Sequence, residues 1–420
     1  MSADQIVITG MGLVTPLGTG VDAVWKRLLG GESGIRPLVR FDVSDLNTKF
    51  AGQVPGAGEP DGLDPETVIS AKDLKKIDAF TLFALAATEE ALQQANWHPT
   101  ADSEKDATAT IIGTGIGGFP VITEAVRTLD TRGPRRISPF VVPAFLGNLA
   151  AGNVSIRYGF RGPIGAPVTA CAAGLQAIGD GMRLIASGEA DVVIAGGTEA
   201  CIDRLTLAGF GAARALSTEN DSPATASKPY DSQRAGFVLG EGAGIVVLER
   251  RSHAEKRGAT PLVALTGYGT SADAYHLTAG PADGSGAALA IHHALARANI
   301  SSSEVNYING HATSTPVGDA AEIAAMRAVF GDNLASIPVS STKSSTGHML
   351  GAAGSVEAIF TAMAVINNKI PATLNFTKAD EGAEDLDFVP DLNRTAEVQI
   401  AVCNAFGFGG VNASLVLEKI

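Results

Sequence analysis

Hydrophobic positions follow two alternating patterns along the chain. Short runs rich in valine and isoleucine, such as 191–197, are separated by longer stretches rich in alanine and leucine. In one of these stretches, Leu175, Ile178, Met182 and Ile185 recur at the spacing of a helix face. Continuous apolar runs are typical of strands buried on both faces of a largely parallel sheet. The alternation therefore predicts an α/β fold in which helices cover buried strands.

Three pairs of segments indicate that the second part of the chain repeats the first. In chain order the pairs are 7–12 with 264–269, 167–171 with 338–343, and 236–249 with 405–418. The last pair predicts a hairpin that closes a sheet in each half. Because the three pairs keep the same order, we predict a duplicated fold whose strand ends surround one central cleft.

The two predicted halves differ in length. Residues 1–259 form the N-terminal half and residues 260–420 the C-terminal half. We place the surplus of the N-terminal half around residues 30–80 and 120–145. Insertions there are expected to cover the site or to build a subunit interface.

Composition narrows the class of protein. The chain has 420 residues, of which 45% are hydrophobic, enough for one large core or two fused ones. Its formal net charge of -13 argues against a nucleic-acid partner. Three cysteines without a Cys-x-x-Cys pair indicate a reducing compartment and no structural zinc. No targeting segment and no apolar run of about 18 residues is recognised, so we expect a cytoplasmic protein outside the membrane.

One basic cluster departs from the acidic balance of the chain. Lys72, Lys75 and Lys76 stand at the spacing of one helix face if residues 71–94 form a helix. On the residue pattern alone, an ordinary solvated face and a docking site for an acidic partner both remain open.

Cys171 lies where the extended run at 167–170 gives way to small residues and a helical pattern. A helix N-terminus offers unpaired N–H groups and the positive end of the helix dipole, which stabilise a thiolate and lower the pKa of the thiol. This placement favours a nucleophile. Local sequence leaves a second interpretation open, because a free cysteine also serves as a small buried hydrophobe.

Two of the seven histidines lie in loops rich in small and hydroxylated residues. His311 follows the strand-like run 305–308, and His348 ends a polar loop that follows 337–339. A cysteine protease needs only one imidazole to activate its thiol, so a second histidine favours thioester chemistry. Two neutral imidazoles can donate hydrogen bonds to the enolate oxygen of a carbon-carbon condensation. The spacing makes this a candidate mechanism.

The chain resembles the β-ketoacyl-acyl carrier protein synthases of the type II elongating class, in the thiolase superfamily. The resemblance runs from Val7 to Leu417. Four motifs carry it: Thr-Ala-Cys-Ala-Ala-Gly at 169–174, His-x-Thr-Ser-Thr-Pro at 311–316, Thr-Lys-Ser-Ser-Thr-Gly-His at 342–348 and Asn-Ala-Phe-Gly-Phe-Gly-Gly at 404–410. It implies a thiolase-like fold of two duplicated halves layered α/β/α/β/α, and a homodimer. No organic cofactor is expected and no metal-ligand residues are predicted, while a bound structural cation stays open.

The same resemblance implies a reaction of fatty acid biosynthesis. Cys171 would take an acyl chain from acyl carrier protein as a thioester. Malonyl-carrier would then lose CO2 and attack that acyl group, while His311 and His348 stabilise its enolate. The product would be a 3-oxoacyl chain on the carrier. Lys343 would pair with Glu322 and order the histidine loops, although in isolation it could also act as a general base.

Further roles are implied by matching positions. The N–H groups of Cys171 and Phe408 would hold the oxyanion, with Phe406 in the same loop; Thr313 and Thr315 would bind the phosphopantetheine arm; Ile116 and Phe210 would line the acyl pocket; Lys72, Lys75, Lys76 and Arg214 would dock the acidic carrier.

The chain departs from the commonest family pattern at four small residues. Gly310 and Ala312 flank His311 where Ala and Gly are more usual, and Ala405 and Val411 replace Ser and Thr. Three alternatives stay open. A ketosynthase of a type II polyketide or another specialised acyl pathway would share nearly every catalytic residue. A noncatalytic chain-length partner typically lacks the nucleophile. A degradative thiolase generally uses a second cysteine.

Overall fold

A computed structural model describes residues 4–420 of the chain. Its strands are β1 Ile6–Thr15, β2 Gly18–Thr19, β3 Ile35–Pro37, β4 Phe50–Gly52, β5 Thr108–Gly113, β6 Ile164–Gly165, β7 Val192–Glu199, β8 Gly242–Arg250, β9 Val263–Ala272, β10 Tyr307–Asn309, β11 Val339–Ser340, β12 Lys369–Ile370, β13 Arg394–Thr395, β14 Ile400–Gly407 and β15 Val411–Glu418.

The helices lie between these strands, as the alternating apolar pattern predicts. They are α1 Val21–Leu29, α2 Pro65–Val68, α3 Ala71–Leu74, α4 Ala79–Ala95, α5 Asp102–Asp106, α6 Phe119–Arg132, α7 Val141–Phe145, α8 Leu149–Tyr158, α9 Ala173–Ser187, α10 Arg204–Ala212, α11 Arg251–Lys256, α12 Ser285–Ala298, α13 Pro316–Phe330, α14 Lys343–Thr346 and α15 Ala353–Asn367. Short 3-10 turns occupy Pro134–Arg136, Ala170–Ala172, Pro223–Thr225, Ser302–Glu304, Gly331–Ser336 and Leu350–Ala352.

The main sheet shows the duplication directly in its strand order. The order is β11-β10-β14-β15-β9-β1-β8-β7-β5-β6, with β2 paired to β1. Each half contributes five strands to this order. Numbered along the chain within their half, they run third, second, fourth, fifth and first from either end of the sheet to its centre. The two first strands, β1 and β9, pair antiparallel over three residues, from Ile6 opposite Leu265 to Ile8 opposite Val263. The predicted duplicated fold is therefore present, with both sets of strands joined at the centre.

Helices separate and cover the two sets of strands. α4 and α8 pack on the outer face of the first set, and α12, with α13 beside it, packs on the outer face of the second. α9 and α15 contact each other and both sets, so they form the middle layer. This is the layered α/β/α/β/α architecture expected from the resemblance.

Paired glycines explain why the first strand of each half has the same sequence pattern. A Cβ at Gly10 or Gly12 would overlap a carbonyl oxygen of α4, and one at Gly267 or Gly269 would overlap a carbonyl oxygen of α12. Glycine lets the helix backbone approach the strand directly. Segments 7–12 and 264–269 are therefore similar because each forms the same close contact between a strand and a helix.

Two local predictions are wrong. The hairpin at 405–418 is present as β14 and β15, but 236–249 is not a hairpin, because β8 pairs antiparallel with β1 and β7, and residues 200–241 separate it even from β7. The helix predicted over 71–94 is interrupted: α3 ends at Leu74, and α4 begins after Asp78, whose side chain accepts from the Phe80 N–H. That N-cap starts a new helix and breaks the spacing on which the lysine face was argued.

The expectation that no segment has the length and apolarity of a membrane span is also wrong. Residues 350–367 form an 18-residue window of mean hydropathy 1.4. The structure buries 89% of that window, in the middle layer between the two sets of strands. A helix surrounded by protein is apolar on all sides, so its composition reflects the core of this fold.

A buried carboxylate ties the end of β8 to the helix that follows it. The Thr9 hydroxyl, at 2.6 Å, and the Arg257 guanidinium donate to Glu249, and the His253 imidazole lies 2.6 Å from it. Burial raises the pKa of Glu249, but these hydrogen bonds together outweigh it and lower the pKa to about 2. The ionised carboxylate is therefore the form that the fold stabilises.

We expect this cluster to make the protein acid-sensitive. Because the pKa of Glu249 is depressed in the folded state, its contribution to stability is full above pH 4.5 and is lost as the pH falls towards 2. The free energy of unfolding should fall by about 2–3 kcal/mol over that window. Denaturant titrations at several pH values measure it. Glu249→Gln should flatten the dependence, whereas Glu255→Gln, which removes an exposed pair with Arg251, should leave it unchanged.

Candidate active site

The nucleophile candidate lies in a strained turn at the entrance to the middle layer. Cys171 sits in the 3-10 turn Ala170–Ala172, directly before α9. The preceding Ala170 has φ 49°, a left-handed conformation that is unusual for alanine. Residues 167–169 are outside any strand, so the extended run that the sequence predicts is a connection rather than part of the sheet. The turn leaves the Cys171 side chain 8% exposed at the wall of a cavity.

Both predicted histidines meet this cysteine. Nε2 of His348 lies 2.9 Å from Sγ of Cys171, and the rings of His311 and His348 are 5.4 Å apart at 81°. His311 follows β10 and His348 follows α14, so the C-terminal half supplies both rings to a cysteine of the N-terminal half. The candidate site therefore lies between the two halves.

Burial sets the protonation states of the three groups. It raises the pKa of the Cys171 thiol to about 12, although the charge of Lys343 and the N–H of Phe408 oppose it. The expectation that the helix N-terminus lowers this pKa is therefore wrong for the resting protein. Burial, reinforced by the charge of Lys343, also holds the pKa of His311 and His348 well below the usual range. The resting site contains a thiol and two neutral imidazoles, and His348 is placed to accept the thiol proton.

The predicted partner of Lys343 is wrong. Nζ of Lys343 lies 2.5 Å from Oε1 of Glu357, a residue of α15, and both side chains are buried. Glu322 instead accepts from the backbone N–H groups of His311 and Ala312, each at 2.7 Å. Glu322 thus orders the His311 loop, as expected of it, but it does so through the backbone. The pairing with Glu357 depends on how α15 crosses the middle layer, which local sequence does not specify.

The loop at 407–410 approaches the cysteine turn closely. A Cβ at Gly407 would lie 2.8 Å from the carbonyl oxygen of Thr169 and 3.2 Å from the N of Cys171, so only glycine permits this approach. The N–H groups of Phe408 and Cys171 are both within reach of the thiol sulfur. Two backbone donors converging beside a nucleophile can hold an oxyanion. The Phe408 ring itself is 42% exposed at the cavity.

A single cavity of about 730 Å³ joins these groups to the other predicted site residues. Its lining includes Cys171, His311, His348, Phe406, Phe408, Thr313, Thr315, Ile116, Phe210 and Arg214. The hydroxyl oxygens of Thr313 and Thr315 are 3.1 Å apart. Phe210 packs edge-on against Phe237, with ring centroids 5.2 Å apart. The cavity therefore has an apolar portion and a portion that bears hydroxyl groups.

The predicted basic residues are divided between two places. Arg214 is exposed and lines the cavity, whereas Lys72 and Lys75 are exposed on the segment before α4, outside the cavity lining. Nζ of Lys76 pairs with Asp73 at 2.6 Å and lies 5.6 Å from the centroid of the Phe140 ring.

Two further features near the site were not identified from the sequence: a set of exposed arginines and a buried carboxylate. The contact with Phe140 brings the lysine segment to the insertion that carries the exposed Arg135 and Arg136. Buried Glu199, at the end of β7, accepts from the N–H groups of Gly115 and Gly351 at 2.7 and 3.0 Å and so fixes the loop that carries Ile116. The sequence contains a signal for each group. Four arginines lie between 127 and 136, and Glu199 places a carboxylate at the end of an apolar strand.

The cysteine and the two histidines at the centre of the site could also hold a metal ion. Ligand atoms of Cys171, His311 and His348 all lie within 4.8 Å of one another, and each side chain is buried. Thiolate and imidazole are ligands of Zn²⁺ and other borderline or soft ions. An ion bound there would occupy the atoms that face the cavity. The sequence predicts none, and this stays a prediction.

Comparison with known proteins gives consistent relatives over the whole chain. Residues 3–254 match the family described as Beta-ketoacyl synthase, N-terminal domain, and residues 262–377 match Beta-ketoacyl synthase, C-terminal domain. The chain is 48% identical over 417 residues to 3-oxoacyl-[acyl-carrier-protein] synthase 2 of Rhizobium meliloti, covering 99% of each. It is 46% identical over 421 residues to the protein of that name from Vibrio harveyi, covering 100% of each.

Solved structures are similar in fold at lower identity. One is AntDE:AntF, a type II polyketide synthase acyl carrier protein in complex with its ketosynthase bound to the hexaketide, with TM-score 0.89, 32% identity and 99% coverage of each chain. Another is a Beta-ketoacyl synthase from Burkholderia phymatum, with TM-score 0.89, 32% identity and coverage of 99% of this chain and 100% of that one.

Proposed function

The chain belongs to the β-ketoacyl synthase family, and we propose that it joins an acyl chain held on Cys171 to a malonyl group delivered by acyl carrier protein. It is a condensing enzyme of fatty acid biosynthesis, an acyltransferase of the 3-oxoacyl-[acyl-carrier-protein] synthase type. The observation that carries the mechanism is the 2.9 Å contact between His348 Nε2 and Cys171 Sγ in a cavity shared with His311.

The first half-reaction transfers the acyl chain to the enzyme. As the Cys171 sulfur attacks the carbonyl of acyl-carrier, its proton passes to Nε2 of His348. The N–H groups of Cys171 and Phe408 stabilise the resulting oxyanion. When the intermediate collapses, the carbon-sulfur bond to the carrier breaks and the carrier thiolate leaves with that proton. The acyl chain then lies along the apolar part of the cavity, beside Ile116 and Phe210.

The second half-reaction uses both neutral imidazoles. The bond between the malonyl carboxylate and its α-carbon breaks, CO2 leaves, and the electron pair passes to the thioester oxygen as an enolate. N–H donors of His311 and His348 stabilise that oxygen, with the ring proton of His348 now on Nε2, which was the bare acceptor during acyl transfer. The enolate carbon attacks the acyl carbonyl, the carbon-sulfur bond to Cys171 breaks, and the thiolate takes up one proton from solvent to restore the thiol. The positive charge of Lys343, which pairs with Glu357, lowers the pKa of both rings and helps to keep them neutral.

The nearest rival is a type II polyketide ketosynthase. The curated relatives named 3-oxoacyl-[acyl-carrier-protein] synthase 2 are 48% and 46% identical, whereas AntDE:AntF is 32% identical, which favours the fatty acid reaction. Incubation with a panel of short to long acyl-carriers and excess malonyl-carrier tests it. We expect one 3-oxoacyl-carrier per acyl chain and a measurable length preference. Repeated extension of the unreduced product would support the rival.

We propose that the exposed basic residues dock the acidic carrier. Reversing the charges of Lys72 and Lys75, both of which are exposed, should raise the KM for carrier substrates about tenfold at low salt, and less at high salt. Reaction with a small-molecule thioester should not change. Steady-state kinetics with both substrate types measure the difference. An unchanged carrier KM would remove Lys72 and Lys75 from the docking face.

Lys256 offers a matched control for this experiment. It is exposed at the end of α11, which follows the Arg250 end of β8. The opposite end of β8, at Gly242, pairs with Glu199 beside the site. Charge reversal at Lys256 changes the net charge of the protein by the same amount per residue and should leave the carrier KM unchanged.

The edge strand β6 supports the predicted homodimer. It ends the main sheet, and the nearby apolar side chains of Ile164, Val168 and Leu146 are exposed in the single chain. An unpaired edge with exposed apolar neighbours favours burial against a second copy. Sedimentation at working concentration should give a dimer, and a monomer would refute this part of the proposal.

The proposed mechanism needs Cys171 as a free thiol. A reducing compartment keeps thiols free, which agrees with the predicted cytoplasmic location.

A further inference from the structure

Tyr230 is held in an unusual conformation beside the His311 loop. Its φ is 63°, a left-handed value that is rare for a bulky residue, and its side chain is fully buried. The backbone N–H donates to Asp319 at 2.9 Å, and the ring stacks on Phe388 with centroids 4.4 Å apart. A strained residue persists where surrounding contacts fix it, and such residues cluster at functional sites.

The Tyr230 hydroxyl meets the carboxylate that orders the His311 loop. It donates to Oε2 of Glu322 at 3.0 Å. The same oxygen accepts from the N–H of Ala312, while Oε1 accepts from the N–H of His311, both at 2.7 Å. The amide of Asn404 lies 3.4 Å from Oε1. A change at the Tyr230 hydroxyl therefore reaches the His311 backbone through one carboxylate.

Gly310 supplies the space that this hydroxyl needs. A Cβ at position 310 would overlap the Tyr230 hydroxyl oxygen, while the next nearest atoms are Cζ of Tyr230 at 3.1 Å and Oε1 of Glu322 at 3.4 Å. Gly310 is not among the residues with a positive φ, so its backbone conformation suits any residue. The overlap that requires glycine comes from one oxygen atom, because the approach to Cζ at 3.1 Å needs a shift of only a few tenths of an ångström. This gives a physical reason for Gly310, one of the four departures from the family pattern.

We propose that Tyr230 is a positioning residue for the decarboxylation step, acting through Glu322 on His311, and that Gly310 is its steric complement. The inference rests on the proposed role of His311 as an enolate-stabilising donor. Tyr230 itself touches no reacting atom. Because His348, not His311, contacts the Cys171 sulfur, the geometry assigns the effect of Tyr230 to decarboxylation and leaves acyl transfer to Cys171 largely untouched.

Four proteins test the coupling: the wild type, Tyr230→Phe, Gly310→Ala and the double variant. Acyl transfer to Cys171 and release of CO2 from malonyl-carrier are measured as separate rates. Tyr230→Phe should slow decarboxylation about tenfold, through loss of one hydrogen bond to a charged group. Gly310→Ala should slow it about 100-fold, because the overlap displaces the loop. The double variant should recover to the level of Tyr230→Phe. Acyl transfer should stay within about threefold throughout.

Tyr307→Phe is the matched control. Its hydroxyl is also buried, at 2.9 Å from the Ser340 hydroxyl, but Tyr307 makes no hydrogen bond to Glu322. Removing that hydroxyl tests the general effect of losing a buried phenol near β10. The ratio of decarboxylation to acyl transfer should match the wild type.

Other outcomes overturn the inference. Equal losses in both half-reactions would mean that Tyr230 has only a structural role, and a double variant as slow as Gly310→Ala would remove the steric coupling. If Gly310→Ala does not fold, a folded double variant with the rates of Tyr230→Phe still supports the coupling, and an unfolded one contradicts it. Failure of the proposed function is distinct, because the wild type itself would then release no CO2 from malonyl-carrier.

Discussion

Replacing Cys171 with alanine is expected to abolish condensation while the protein remains folded. The substitution removes one sulfur atom at the wall of a cavity, so little packing is lost. Without that sulfur no atom at the turn can hold the acyl chain as a thioester. Loss of the nucleophile in a covalent mechanism costs on the order of 10^4-fold or more in rate. Quenched-flow measurement of 3-oxoacyl-carrier formation gives the loss, and the thermal midpoint reports folding.

Cys201→Ala controls for the removal of a buried thiol. Cys201 is fully buried after β7 and lies outside the cavity lining. Its substitution should leave the condensation rate close to the wild-type value. A Cys171→Ala protein that still forms product at more than about a hundredth of the wild-type rate would contradict the assignment of the nucleophile.

Separate alanine substitutions of the two histidines are expected to have different effects. His348 contacts the Cys171 sulfur at 2.9 Å and shares the cavity with His311. His348→Ala should slow acyl transfer about 10^2- to 10^4-fold, the range for loss of a general base. It should also slow decarboxylation. His311→Ala should slow decarboxylation about 10^2- to 10^3-fold, as for loss of an oxyanion donor, and leave acyl transfer nearly unchanged.

The two half-reactions can be measured independently in each variant. Acyl transfer is followed by release of free carrier thiol, and decarboxylation by release of labelled CO2 from malonyl-carrier. His253→Ala is a control, since this histidine lies in α11 and pairs with Glu249 away from the cavity. If neither His311→Ala nor His348→Ala slows CO2 release, the enolate role is wrong. If His348→Ala spares acyl transfer, its role as the proton acceptor is wrong.

The fold and the chemical groups of the site were largely predictable from the sequence. In each half the first strand contacts the backbone of a helix so closely that glycine is needed. The requirement appears in the sequence as the matching glycines Gly10 and Gly267. The residues placed in the cavity, such as Cys171 and His348, lie in short motifs of small and polar residues that differ from core sequence. Loops that must let a substrate approach the backbone carry this signature along the chain.

Partners of buried charges were not predictable. Lys343 pairs with Glu357 rather than Glu322 because the choice depends on the path of α15, not on distance along the chain. The pKa of Cys171 was predicted in the wrong direction for a related reason. The helix N-terminus can be inferred from the order of residues, but the desolvation that outweighs it depends on everything packed around the thiol.

Local competition explains the remaining errors. The helix expected over 71–94 has suitable spacing, but the cap at Asp78 starts a second helix and leaves Lys75 at the end of the first. The window 350–367 is as apolar as a membrane helix because two sets of strands enclose it. The lysine spacing was recognised but a local cap interrupts the helix, whereas the apolar window at 350–367 was missed in the sequence and owes its composition to its tertiary surroundings.

Intact-protein mass spectrometry of the wild type is the most direct test of the claim that Cys171 carries the acyl chain through a decarboxylative condensation. Incubation with acyl-carrier should add the mass of one acyl group, and peptide mapping should place it on Cys171. Addition of malonyl-carrier should then remove that mass while equal amounts of CO2 and 3-oxoacyl-carrier form. An acyl group found on another residue, or one that persists on Cys171 while product forms, would contradict the account.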